Sequence, residues 1–189
     1  MTMQVKRKKD NRVVKCILHR VADIPGGVTV ETASLGGKAV FEGTPLGKGN
    51  DGLFKVVKTA TVLTEANATA VAIEVAKGHH FKAGDYFSAS GANGQKIASI
   101  DKSDPAKDTI TLAKTLGVVV KAGEVGFESV DDKPDLKVKP VTIAGSNYDV
   151  DPDGDNLWTD AWVIGVVRES NSPAVNDAIK SALKGIVYV

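Results

Sequence analysis

AKGHHFKAGDYFSASGANGQKIASIDKSDPAKDTITLAKTLGVVVKAGEVGFE, residues 76–128, decides the fold because short apolar segments alternate here with tight turns. Two of the turns are nearly identical, KAGD at 82–85 and KAGE at 121–124, and each leads directly into an apolar segment. Residues 109–112, with the sequence TITL, show the clearest alternation expected of a half-buried strand. Several short strands with turn signals between them predict a mainly β protein built on a small β-barrel or sandwich module.

The composition narrows the classes of partner. The chain has 189 residues, of which 42% are hydrophobic and 25% charged, which is ordinary for a folded soluble protein. Its 24 basic and 23 acidic residues leave a formal net charge of +1, too small to attract nucleic acid or an acidic membrane surface. No apolar run reaches the roughly 18 residues of a membrane helix. We therefore expect no nucleic-acid or membrane partner, and synthesis in the cytoplasm.

The N-terminal residues 1–11 are predicted to form a flexible basic arm. Four consecutive cations lie at its centre, Lys6, Arg7, Lys8 and Lys9. A charge run at a terminus is commonly just solvated. Alternatively, the arm docks on a larger negatively charged surface, where its cations would strengthen binding without conferring specificity.

The remaining chain divides into three parts on composition. Residues 12–130 are predicted to be the β-rich module. Residues 131–140 are polar and interrupted by Pro134 and Pro140, which is typical of a linker. Residues 141–189 are predicted to form a C-terminal β-α-β segment.

The C-terminal segment contains the one convincing helix pattern. An apolar strand at 161–167 is followed by Ser172 as the predicted N-cap, Pro173 as the first helical residue and Gly185 as the stop. The predicted apolar stripe of the helix consists of Val175, Ala178, Ile179, Ala182 and Leu183. Residues 186–189 are predicted to form a last strand in the same sheet as 161–167.

Few side chains suggest a metal or thiol site. Cys16 is the single cysteine, which excludes a disulfide within the chain and a zinc site of several thiolates, and its apolar neighbours predict burial. His79 and His80 are adjacent, so on a strand they would point to opposite faces, and we interpret them as part of a surface turn. The chain contains no nucleophile elbow and no histidine in a recognisable catalytic context, so we expect neither an enzyme nor a cofactor.

An acidic turn at residues 151–156 partly resembles a calcium loop. Carboxylates occupy its first, third and fifth positions. A calcium loop of this type requires glycine at the sixth position and a bidentate acid at the twelfth, but Asn156 and Trp162 stand there. We therefore predict a solvated turn.

Three pieces of the sequence carry a resemblance to a known family. They are GTPLGK at 43–48 with LFKVVK at 53–58, the central module with IASID at 97–101 and DTITL at 108–112, and the ending that contains IKSALKGI at 179–186. Together they resemble capsid-decorating proteins of tailed bacteriophages, and head fibre proteins in particular. The resemblance implies a virion structural protein on the outside of the capsid, bound to the major capsid protein, commonly as a homotrimer. The chain lacks the long heptad or triple-stranded repeat of a fibre, so a compact decoration knob is equally consistent.

Two other functions stay open at this stage. A β-module that binds or processes a cell-surface glycan would use Tyr148, Trp158 or Trp162 beside the acidic turn, because sugars stack on flat aromatic faces. A tail or baseplate component of a phage would show the same pattern of strands and turns.

Overall fold

The computed structural model describes residues 15–151 and 156–189. It is mainly β, with 40% of residues in strands and 5% in helices, as the sequence predicts. The strands are β1 Ile17–Asp23, β2 Val28–Val30, β3 Ala39–Val40, β4 Pro45–Lys48, β5 Phe54–Val56, β6 Thr59–Thr61, β7 Ala72–Val75, β8 Tyr86–Ser88, β9 Gln95–Asp101, β10 Asp108–Leu112, β11 Val125–Glu128, β12 Thr142–Ala144, β13 Tyr148–Asp149, β14 Leu157–Thr159, β15 Ala161–Val167 and β16 Ile186–Tyr188. A 3₁₀ turn at Glu169–Asn171 and the helix α1, Asp177–Ala182, lie between β15 and β16.

The first sheet is assembled from both ends of the described chain. Its strand order is β1-β15-β12-β4-β5-β2-β14, and β16 pairs with β15. The last pairing is parallel, with Val166 opposite Val187, which confirms that the final strand shares a sheet with residues 161–167. A parallel pair needs a crossover connection, and the segment containing α1 supplies it.

The second sheet includes the strands of residues 76–128, where short apolar segments alternate with turns. Its order is β6-β11-β8-β9-β10-β7, and it curls so that an isolated bridge between Val62 and Val75 links its first and last strands. The largest side chains of its core are all at most 1% exposed: Phe81, Phe87, Ile73, Ile97 and Ile110. The predicted β module is therefore confirmed as a curled sheet around its own apolar core.

The two KAG turns have the same geometry. In each, the acidic side chain folds back on the first residue of the turn: the Lys82 N–H donates to Asp85 Oδ2 at 2.8 Å, and the Lys121 N–H donates to Glu124 Oε2 at 3.2 Å. The glycine of each turn has a positive φ, +97° and +88°, which explains why glycine stands there. The turns deliver β8 and β11, which pair with each other, so the sequence repeat is a structural repeat.

The helix begins later than predicted. Asn176 is the N-cap, and its side chain accepts a hydrogen bond from the Ile179 N–H at 3.0 Å. The predicted cap, Ser172, instead donates its hydroxyl to the Glu169 carbonyl at 3.1 Å and closes the preceding 3₁₀ turn. The helix ends at Ala182, before Gly185. Of the predicted stripe, Val175, Ile179 and Leu183 are buried against the first sheet, as expected.

The segment predicted as a linker carries the chain from the second sheet back to the first. It lies between β11 and β12 and folds back onto β11: the N–H of Lys137, in its second half, donates to the Glu128 carbonyl at 3.0 Å. Because the first sheet uses strands on both sides of this segment, hydrogen bonding does not follow the predicted division at residues 131–140. No helix in the part of the chain that the structure describes is long and apolar enough to span a membrane.

Candidate functional site

Two cavities and two groups of buried ionisable side chains lie near the point where the chain passes from the first sheet to the second. Two residues, 57 and 58, connect β5 of the first sheet to β6 of the second. A cavity of about 420 Å³ lies beside this crossing, and its wall includes Lys77, His79 and His80. A smaller cavity of about 220 Å³ is lined by charged side chains, among them Lys58, Asp85 and Glu128.

The histidine pair is buried, so the predicted surface turn is wrong. His79 is 5% exposed and His80 is 6% exposed. The Nδ1 atom of His79 accepts a hydrogen bond from the Phe81 N–H at 3.2 Å. The proton of the neutral ring therefore lies on Nε2, which is 3.2 Å from Asp108 Oδ2, while Lys77 Nζ is 2.6 Å from Asp108 Oδ1. This set of three side chains ties the segment after β7 to β10.

Both histidines are neutral at physiological pH. Burial lowers the pKa of His79 to about 4, against an opposing contribution from the Asp108 carboxylate. Burial also lowers the pKa of His80 to about 4, helped by the neighbouring His79 and Lys58. Among residues 15–151 and 156–189, no three His, Cys, Asp or Glu side chains are arranged to hold a metal ion.

A buried lysine cluster lies on the other side of the crossing. The Lys58 side chain is 3% exposed, and its Nζ is 2.7 Å from Asp85 Oδ2 and 3.6 Å from Glu128 Oε2. The more exposed Lys137 places its Nζ 2.5 Å from Glu128 Oε1. Burial raises the pKa of Glu128, although the two lysines and the Lys137 hydrogen bond act in the opposite direction. Sequence analysis missed this cluster because its members belong to three distant segments without a shared motif.

A group of exposed apolar side chains lies on three paired strands of the first sheet, β1, β15 and β16, and directly after β16. We call it the apolar face; it consists of Leu18, Val21, Ile164, Val187 and Val189, each between 45% and 63% exposed. On the same strands, the alternating side chains of Ile17, Val167 and Ile186 pack into the core beside α1. Leu18, Ile164 and Val187 each lie an odd number of residues from one of these buried side chains on their own strand, so they point away from the helix. Val21 is exposed where the register of β1 shifts, between Arg20 and Ala22.

The two tryptophans have different environments. Trp158 is 54% exposed, and its ring is held by an Nε1–H bond to the Gly26 carbonyl at 2.8 Å. Trp162 is partly buried, donates from Nε1 to Asp160 Oδ2 at 3.2 Å, and carries the Arg20 guanidinium 5.3 Å from its ring centre. Trp158 therefore keeps a flat aromatic surface in solvent, whereas Trp162 serves the packing of the sheet.

The other residues singled out from the sequence are only partly covered by the structure. Lys6, Arg7, Lys8 and Lys9 lie outside the described residues, and so do residues 152–155 of the acidic turn. Cys16 is fully buried in the core beside α1, as predicted.

Comparison with known proteins adds no relative: no family model, no curated protein and no solved structure matches this chain.

Proposed function

We propose that this protein is a virion structural protein that binds the outer surface of a phage capsid as a head fibre or decoration protein. The proposal extends the resemblance in the sequence, and the apolar face is the structural observation that supports it. Isolated apolar side chains on a surface are common, but a group on three adjacent strands is typical of a protein interface. In this proposal the apolar face packs copies of the chain into a trimer.

The position of the apolar face also suggests a role for the basic arm. β1 carries Leu18 and Val21, and the segment with Lys6, Arg7, Lys8 and Lys9 joins the chain just before β1. Three copies packed through this face would bring three basic segments to one end of the assembly. There they would contact negatively charged groups of the major capsid protein, with affinity that falls as salt is added.

The oligomer is tested first, by light scattering coupled to size exclusion. We expect a trimer for the natural chain and a monomer for Ile164→Asp, because a carboxylate would be desolvated in the interface. Val119→Asp is the matched control, since Val119 is 47% exposed but lies in the second-sheet region, away from the apolar face. A monomer at every concentration, or equal behaviour of the two variants, would contradict the trimer.

Capsid binding is tested by co-sedimentation with assembled empty capsids of the phage that encodes the protein. We expect the trimer to sediment with the capsids. A variant with alanine at Lys6, Arg7, Lys8 and Lys9 should remain trimeric, bind more weakly and lose much of the salt dependence. Absence of co-sedimentation at low salt would overturn the proposed capsid role.

A second candidate function is glycan binding at Trp158, which the exposure of its ring specifically favours. A carbohydrate array probed with the natural chain tests it. Binding that Trp158→Ala abolishes and Trp158→Phe retains would support stacking of a sugar on this ring. An array without any signal, or signal unchanged in Trp158→Ala, would remove this candidate.

A further inference from the structure

The buried lysine cluster joins three segments that are far apart in the sequence. Lys58 lies at the crossing between β5 and β6, Asp85 closes the turn before β8, and Glu128 ends β11. Lysine is almost never fully buried unless it is paired, and burying an ion pair costs free energy that a charge-free arrangement would avoid. A covalent amide between the lysine and a carboxylate is such an arrangement, since it contains no charge.

The geometry around Asp85 suits this reaction. Lys58 Nζ lies 2.7 Å from Asp85 Oδ2, one bond away from the carboxyl carbon that it would attack. The Lys82 N–H also donates to Oδ2, at 2.8 Å, so a backbone donor is already aimed at the oxygen that would carry negative charge in a tetrahedral intermediate. The reacting groups are thus held together by the fold, which removes much of the entropic barrier.

Glu128 is placed to move protons during the reaction. Its Oε2 is 3.6 Å from Lys58 Nζ, while Lys137 occupies the other oxygen, Oε1. Burial raises the pKa of Glu128, which makes its carboxylate a better proton acceptor than that of an exposed glutamate.

We propose that Lys58 and Asp85 form an intramolecular isopeptide bond, with Glu128 as the proton-transfer residue. Glu128 first takes a proton from the Lys58 ammonium, and the neutral amine then attacks Cγ of Asp85 to form the C–N bond. Glu128 passes the two protons lost by the nitrogen, one after the other, to Asp85 Oδ1. The C–Oδ1 bond breaks, and this oxygen leaves as water. An ammonium and a carboxylate become an amide and one water, so no oxidant or cofactor is needed.

The bond would join the crossing out of the first sheet to the turn that starts β8. It would close a loop between positions 27 residues apart and fasten the second sheet at the point where the chain enters it. The reaction needs one chain only, and it is independent of what the protein binds.

Intact-mass measurement of the purified full chain under denaturing conditions tests the proposal. We expect a mass lower than that of the sequence by one water, and a protease digest in which the peptides containing Lys58 and Asp85 are joined. The full sequence mass in the folded natural protein, after prolonged incubation, would overturn the proposal. So would a water loss that maps to another position, such as a succinimide.

Variants separate the roles of the three residues. The single variant Lys58→Arg and the double variant Lys58→Arg with Asp85→Asn both lack the nucleophile. Each should have the full mass of its own sequence. Glu128→Gln keeps the Lys58 and Asp85 pair and should also stay uncrosslinked; normal crosslinking in this variant would refute the proton-transfer role. The control is Lys77→Arg at the Lys77 and Asp108 pair, which has a similarly short contact of 2.6 Å but a lysine side chain that is 35% exposed. This variant should still lose one water.

Discussion

Acid should unfold this protein through its two buried histidines. An unfolded histidine has a pKa of about 6.5, whereas burial lowers the pKa of His79 and of His80 to about 4. The unfolded chain therefore binds protons first as the pH falls, so the free energy of unfolding decreases between about pH 6.5 and pH 4 and levels off below that range. Above pH 6.5 neither state is protonated, and the histidines contribute no slope.

The size of the effect follows from the pKa differences. Each pKa unit corresponds to about 1.4 kcal/mol, so each histidine lowers the free energy of unfolding by about 3 kcal/mol between pH 7 and pH 4. Both together remove roughly 6 kcal/mol, which is comparable with the total stability of about 5–15 kcal/mol of a typical domain. Of the charged groups around the pair, Asp108 favours protonation of His79 and Lys102 and Lys77 oppose it, while Lys58 and Lys102 oppose protonation of His80.

Urea denaturation followed by tryptophan fluorescence at a series of pH values measures this slope. The His79→Gln and His80→Gln variants should each flatten the pH dependence by about half, because glutamine does not titrate. His19→Gln is the control, since His19 is exposed, and it should reproduce the natural profile. Parallel profiles for the natural chain, His79→Gln and His80→Gln would show that the two buried histidines do not cause the loss of stability in acid, whatever the stability of the variants at pH 7.

Three further predictions concern packing and capping, each measured by urea denaturation at pH 7. Gly126→Ala should cost at least about 2 kcal/mol because its Cβ would lie 2.1 Å from the Phe87 ring; an unchanged midpoint would show that the ring can move aside. Asn176→Ala should cost about 1 kcal/mol through loss of the helix cap, and Asn176→Asp should retain the stability. Ile110→Ala should cost about 3 kcal/mol because Ile110 is fully buried, whereas Val119→Ala at an exposed position should cost less than about 0.5 kcal/mol; equal losses would contradict the assigned core.

The local features of the fold were predictable from the sequence. Each of the repeated KAG turns contains the residues that its conformation needs: a glycine with positive φ and an acidic side chain that accepts a hydrogen bond from the start of the turn. Each turn precedes a strand, as predicted. The final strand was placed in the correct sheet because a strand, a short helix and a strand form a unit with few alternatives. Each of these patterns lies within one continuous stretch of the chain, so no knowledge of contacts with distant segments is needed.

Two errors arose where a local signal had an equally good competitor. Ser172 and Pro173 are typical of a helix start, but Asn176 is as good a cap, and the Ser172 hydroxyl is used by the preceding turn. His79 and His80 lie in a polar stretch with turn residues, which suggested exposure. In its buried position His79 contacts the Phe81 N–H and Asp108 in β10, and Asp108 lies far from the turn in the sequence.

The lysine cluster and the first sheet could not be predicted, because both depend on contacts between distant segments. Lys58 ends the stretch LFKVVK, in which it reads as a solvent-facing residue at the end of a strand. It becomes buried only when β11 brings Glu128, and the first KAG turn brings Asp85, to the same place. β1 and β15 likewise pair across most of the chain, and neither sequence contains a signal for the other.

The pairing of β6 with β11 explains how the second sheet can be inserted into the chain between β5 and β12 of the first sheet. Thr59, the first residue of the second sheet, lies opposite Phe127 near its end, so the chain leaves and returns at nearly the same point. A module whose two ends are adjacent can be inserted into the connection between two strands of an existing sheet, because the insertion does not pull those strands apart. The pairing of β6 with β11 also brings together Lys58, which directly precedes β6, and Glu128, which ends β11. The buried charges therefore lie where the chain enters and leaves the second sheet, and the proposed amide would crosslink the chain at this point.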